Sequence, residues 1–253
     1  MPHFRVTLAY DGGDFNGWQR QRDARTVQGV LEEALGRLAG GQRVGVAGAG
    51  RTDSGVHAAG QVASFELARP LEPRALVEAL NGLLPEDVRV IDAAAVGSAF
   101  HARRSARSKL YRYVLDTGAV QLPTRRRYAA HLPLRLADEP VHGLAALYRG
   151  ERDFAALASS GGSVNTTVRR VLRSEARLTE HGLLYEVEGD GFLRKMVRSL
   201  VGGLVAVGQG RLELHELEAA LLARDRRAWP PPAPACGLCL VHVDYPSEAG
   251  GLE

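Results

Sequence analysis

From Phe4 to Ala95 the hydrophobic period switches twice from two to 3.6 and back, and no other feature of the chain restricts its fold as strongly. Phe4 to Tyr10 alternates apolar and polar residues as a half-buried strand does; Asp11-Gly12-Gly13-Asp14 then supplies turn chemistry, and a loop runs on through Trp18. Thr26 is placed to cap a helix along which Val27, Val30, Leu31, Ala34, Leu35 and Leu38 recur at helical spacing, ended by Gly40-Gly41. Arg43 to Ala47 and Gln61 to Leu67 read as two strands around a glycine-rich loop. Pro73 opens a second helix carrying Leu76, Ala79, Leu80 and Leu83, and Val88 to Ala95 is a further strand. The order strand, helix, strand, strand, helix, strand matches the split arrangement of ferredoxin-like units.

The remainder repeats this order loosely. Lys109 to Asp116 predicts a strand, Val141 to Tyr148 a helix, and Val168 to Leu178 with Leu183 to Gly189 a hairpin. Phe192 to Val207 reads as a buried helix, Leu214 to Ala223 as another, and Gly237 to Tyr245 as a closing strand. Trp229-Pro-Pro-Pro-Ala-Pro is a stiff connector, because proline fixes the backbone and removes donors. Ser159 to Ser163 reads as a mobile segment. The expectation is an α/β (α+β) protein of two ferredoxin-like lobes with mostly antiparallel sheets around a central cleft, a natural place for a large substrate. The lobes are residues 1–105, carrying an aspartate loop, and 106–253, completing the cleft.

Composition excludes several classes. Hydrophobic residues at 45% and charged residues at 24% are ordinary for a folded globular chain and argue against extensive disorder. The longest apolar run, Leu200 to Gly208, is interrupted by Gly202 and Gly203 and falls short of a membrane span, and the N-terminus lacks the pattern of a secretion signal, so a cytoplasmic protein is expected. Cys236 and Cys239 offer two ligands where a structural zinc needs four, and their surroundings read as a strand, so they count as small core residues and no metal is expected. Lys109 and Lys195 are the only lysines among 32 basic residues, while the net charge is only +3. Arginine suits phosphate because its planar fork donates paired hydrogen bonds, yet a general coding bias produces the same excess. Clustering discriminates better. Arg103, Arg104, Arg107 and Lys109 form one group, Arg125 to Arg127 a second, and Arg194, Lys195 and Arg198 a third. These are candidate phosphate contacts, although any single member is more commonly solvated surface charge.

The stretch Gly48-Ala-Gly-Arg-Thr-Asp-Ser-Gly-Val-His-Ala-Ala-Gly60 joins two predicted strands, and such loops often carry function. It is not a dinucleotide-binding loop, because Asp53 stands where the third glycine belongs and a strand rather than a helix follows. What remains is one carboxylate, Asp53, two residues from Arg51, whose guanidinium within reach would favour the charged form that a nucleophile or base requires. On residue types alone, an aspartate that merely caps its turn is the commoner use.

Gly50-Arg-Thr-Asp-Ser-Gly-Val-His-Ala58 resembles the signature of the tRNA pseudouridine synthase A family. Tyr10-Asp-Gly-Gly-Asp-Phe-Asn-Gly-Trp-Gln-Arg-Gln21, Phe100-His-Ala-Arg103 and Lys109-Leu-Tyr-Arg-Tyr113 follow in the family's order. So do Phe192-Leu-Arg-Lys-Met-Val-Arg198, Val201-Gly-Gly-Leu204, Val207-Gly-Gln-Gly210 and Gly237-Leu-Cys-Leu-Val-His-Val-Asp-Tyr245, so the likeness spans nearly the whole chain. Ser54 departs from the family's usual alanine.

The resemblance implies an isomerase that converts uridine to pseudouridine at positions 38, 39 and 40 of the tRNA anticodon stem-loop, as a homodimer without metal or organic cofactor. It implies Asp53 as the catalytic aspartate, Arg51 as its ion-pair partner, Tyr111 as the aromatic residue at the target base and Arg198 as an active-site arginine. Arg103, Arg104, Arg107, Lys109, Arg194 and Lys195 are the expected RNA contacts. Tyr111 and Tyr113 share one strand face, so spacing does not separate them and the resemblance alone selects Tyr111. His57 and His101 are left without an assigned role. Two rivals are an RNA-binding protein without catalysis and a nucleoside hydrolase that would use Asp53 to activate water and release uracil.

Overall fold

A computed structural model describes residues 1–159 and 165–246. In chain order the elements are β1 (His3–Tyr10), α1 (Val27–Leu38), β2 (Ala47–Gly48), β3 (His57–Glu66), α2 (Pro73–Asn81), β4 (Val88–Val96), β5 (Ser108–Asp116), β6 (Ala130–His131), α3 (Asp138–Leu147), β7 (Gly150–Asp153), β8 (Val168–Thr179), β9 (Gly182–Gly189), α4 (Met196–Gly208), α5 (Leu214–Leu222) and β10 (Leu238–Asp244). The mixed α/β class with mostly antiparallel strands is as expected. Met1–Lys109 together with the described residues from Leu240 onward form one compact unit, and Leu110–Cys239 form another. The closing strand β10 therefore lies largely in the first unit, although it follows residue 106 in the sequence.

In the first unit the strand order is β4-β1-β3, with β2 and β10 also bonded to β3. β1 runs antiparallel to both β3 and β4, the arrangement that the strand and helix order predicts. Alternation sends Phe4, Val6, Leu8 and Tyr10 of β1 inward, where Val27, Leu31 and Leu35 of α1 and Leu76 and Leu80 of α2 are also buried. The Thr26 hydroxyl accepts from Gly29 N–H, capping α1, and Pro73 starts α2 where its missing N–H costs nothing. The strand expected over Arg43–Ala47 shrinks to two residues, because Gly45 offers no side chain and only Val44 of that stretch turns inward. Conversely β3 begins at His57 and not at Gln61. Gly60 reads as a loop residue, but it lies in the strand because a Cβ there would come 2.4 Å from the Val241 carbonyl oxygen.

In the second unit the strand order is β5-β9-β8-β7, with β6 parallel to β5. β8 and β9 form the expected antiparallel hairpin, and α3 packs on α4 and on β8. β6 and β7 are too short to show a period, so neither was legible in the sequence. α4 is buried along nearly its whole length, and it starts at Met196 and not at Phe192 because Lys195 adopts a left-handed backbone, φ 61°, that ends helical propagation. Gly202 admits the connector after Trp229: a Cβ there would lie 2.2 Å from Pro231 O. That connector is packed structure as well as stiff chain, since the Trp229 indole N–H donates to Ser199 O at 3.0 Å and Ala233 N–H to Arg198 O at 2.9 Å. Of the segment expected to be mobile, residues 160–163 lie outside the described residues.

Candidate active site

The aspartate loop is built by backbone packed on backbone. Trp18 N–H donates to Thr52 O at 3.1 Å, Gly55 N–H to Phe15 O at 3.3 Å, and the Ser54 hydroxyl to the same Phe15 carbonyl at 3.1 Å. Such proximity requires glycine. A Cβ on Gly12 would stand 1.9 Å from Val56 O, and one on Gly17, whose φ is +84°, would stand 2.5 Å from Thr52 O. The loop after β1 is fixed in turn to the start of α1, where Val27 and Gln28 N–H donate to Gly17 and Trp18 carbonyls. Arg25 lies over the Phe15 ring at 3.9 Å and grips Asp87 with two hydrogen bonds of 2.7 and 2.9 Å, which raise its pKa further. The Asp-Gly-Gly-Asp and Asn-Gly-Trp segments thus brace the aspartate loop in addition to turning the chain.

Held this way, Asp53 is half-buried and Arg51 exposed. Behind them three polar side chains are buried: Tyr10 OH lies 2.9 Å from Thr52 Oγ1, and the Gln61 amide donates to Gly50 O at 3.0 Å. The sequence reading passed over all three. Their signal was a glutamine inside an apolar strand and a tyrosine on the inward face of another. Ser54, the departure from the family pattern, strengthens the brace through Phe15. His57 accepts from Gly12 N–H at Nδ1, 3.0 Å, and so ties the loop to the turn after β1.

In the second unit Tyr111 meets Phe192 edge-on, 5.2 Å between ring centres, while Tyr113 on the same face is wholly buried and donates its hydroxyl to Pro234 O at 2.9 Å. Burial pushes the Tyr113 phenol far above its ordinary pKa. Arg198 is half-buried, and its Nε donates to Ala233 O at 2.7 Å. The expected RNA contacts divide by exposure: Arg103, Arg104, Arg107 and Arg194 are exposed, Lys195 is half-buried and Lys109 is buried. His101 organises its turn by accepting from Arg103 N–H at 3.1 Å, and desolvation followed by the nearby Arg104 lowers its pKa. Cys236 and Cys239 are in no disulfide and are half-buried, less enclosed than core residues.

The tRNA pseudouridine synthase family model matches residues 7–103 and 144–246. The tRNA pseudouridine synthase A of Solidesulfovibrio magneticus is 47% identical over 261 residues, covering 99% of this chain and 94% of its own length. The proteins of the same name from Methylacidiphilum infernorum and Lacticaseibacillus casei are 44% and 40% identical, each covering 97% of this chain, with 96% and 100% of their own lengths matched. This chain belongs to the tRNA pseudouridine synthase A family. The first matched stretch contains the braced aspartate loop, and the second contains Phe192, α4 and its proline strap. Tyr111 lies between the two stretches. Among the described residues no helix is long and apolar enough to cross a membrane.

Proposed function

We propose that this chain is an isomerase that converts uridine to pseudouridine in the anticodon stem-loop of tRNA, at positions 38, 39 and 40, with Asp53 as its catalytic residue. The observation that carries the reading is the construction of the aspartate loop: a half-buried carboxylate, fixed by glycines that let two backbones touch, beside an exposed arginine. A solvated turn cap needs no such brace. The reaction breaks the bond from uracil N1 to the sugar C1′, turns the base, and forms a bond from C5 to C1′. The proton leaves C5 and one is gained at N1, so nothing is oxidised or consumed and no cofactor is called for. A carboxylate on a rigid loop serves by holding the separated sugar or base until the new bond closes.

Arg51 is assigned as the guanidinium partner of Asp53, Tyr111 as the aromatic surface for the target base, and Arg198 as an active-site arginine. The edge-on Tyr111–Phe192 pair supports the Tyr111 assignment, because packing against Phe192 fixes the plane of the ring. Arg103, Arg104, Arg107, Lys109, Arg194 and Lys195 are assigned to the RNA, the exposed members to its phosphates. Extruding the target base costs about a few kcal/mol, which phosphate contacts offset. A homodimer that shares each tRNA and a cytoplasmic site of action complete the proposal. The test incubates unmodified tRNA with wild type and Asp53→Ala and maps pseudouridine chemically. Wild type is expected to modify positions 38 to 40 and the variant none. Product from the variant overturns the assignment of Asp53, and release of free uracil by wild type replaces the isomerase with a hydrolase.

A further inference from the structure

We infer that Tyr10 and Gln61 are positioning residues for Asp53, acting through Thr52 and Gly50; the inference rests on the reading of Asp53 as the catalytic residue. Tyr10, Thr52 and Gln61 are 5%, 7% and 0% exposed, which makes them three buried polar side chains from three different segments of one unit. Gln61 Oε1 accepts from Val62 N–H at 3.2 Å, and this fixes the amide so that Nε2 faces the loop. There Nε2 donates to Gly50 O at 3.0 Å and, at 3.4 Å, to the Tyr10 hydroxyl oxygen. An amide nitrogen only donates, so the Tyr10 oxygen accepts at that contact, and the same oxygen shares a hydrogen bond with Thr52 Oγ1, 2.9 Å away. Gln61, Tyr10 and Thr52 therefore form one continuous hydrogen-bonded network.

Both flanks of Arg51 are reached. Gly50 is held by its carbonyl and Thr52 by its hydroxyl, while Trp18 N–H holds the Thr52 carbonyl at 3.1 Å from the other side. Asp53 is the next residue, so any rotation about the Thr52 backbone swings its carboxylate. An apolar set of similar shape would fill this space at little or no cost in stability, whereas a satisfied buried network fixes one geometry. The network is accordingly assigned to the aim of the carboxylate and not to the stability of the loop.

Tyr10→Phe and Thr52→Val each remove one link while preserving shape, and Thr52→Ser keeps the hydroxyl. Single-turnover pseudouridine formation on unmodified tRNA should fall about 10- to 100-fold in Tyr10→Phe and Thr52→Val, since a misplacement near 1 Å costs about that much. Their tRNA affinity should stay within twofold of wild type and their melting temperatures within a few degrees. Thr52→Ser should recover most of the rate, and the double variant should be no slower than the slower single one. Full rates in Tyr10→Phe and Thr52→Val alongside an inactive Asp53→Asn overturn the inference and leave the catalytic assignment standing. So does a Thr52→Ser variant as slow as Thr52→Val. Wild-type rates in Asp53→Asn remove the catalytic assignment itself.

Discussion

Tyr111 and Tyr113 show how far single residues can be read before coordinates exist. Two apart on β5, they point the same way, and spacing alone gives no reason to prefer either. Their surroundings differ: Tyr113 is wholly buried and donates its hydroxyl to Pro234 O, and Tyr111 packs its ring edge-on against Phe192. Tyr113→Phe should therefore cost about 1 kcal/mol of stability in denaturant unfolding, the net worth of one hydrogen bond, and leave the rate of pseudouridine formation unchanged. A large rate loss there, with stability unaffected, would move the chemical role from Tyr111 to Tyr113. Asp53 was legible as a candidate from its loop and its resemblance, but Tyr10, Thr52 and Gln61 were not. Their importance comes from meeting in space, and sequence period says which face a residue occupies, not which residues face each other across it.

At the scale of elements, long periodic segments were legible and short or strained ones were not. β1, α1, α2 and the β8–β9 hairpin follow their hydrophobic periods, while β2, β6 and β7 are too short to have one. Glycine misled at Gly60, which lies inside a strand, whereas Gly202 lies inside α4 as the expected helix has it and admits Pro231. β7 is pinned by an acid with a testable signature. Asp153 accepts from Thr167 Oγ1 at 2.5 Å and from Ala155 N–H at 3.0 Å, and it pairs with Arg224 at 2.9 Å. The Thr167 hydroxyl, then the Ala155 amide and Arg224, hold its carboxyl below the usual carboxylate range. A depressed folded-state pKa adds stability above the unfolded value of about 3.9 and loses it as pH falls through the folded one. The melting-temperature gap between wild type and Asp153→Asn should be full at neutral pH and should shrink on acidification below about pH 4. A gap that stays constant down to strongly acidic pH would contradict this.

For the whole molecule, periodicity locates a strand but does not name its partner, and the pairing of β10 with β3 was therefore not legible in the sequence. The arginine excess has a consequence at this scale only if its exposed members meet phosphate. Affinity for tRNA should then fall steeply with salt, and replacing Arg103, Arg104 or Arg107 by alanine should flatten the log–log slope by about one per contact removed; unchanged slopes would release those residues from the RNA. The claim on which the rest depends is that the Asp53 carboxylate is required for the base to leave and rejoin the sugar. Rejoining through C5 expels its hydrogen, so tRNA carrying tritium at uridine C5 reports the reaction directly. Wild type should release tritium in step with pseudouridine formed, while Asp53→Asn should bind the same tRNA with comparable affinity and release none; tritium release by that variant within about tenfold of wild type, a barrier difference of under about 1.4 kcal/mol, would contradict the account.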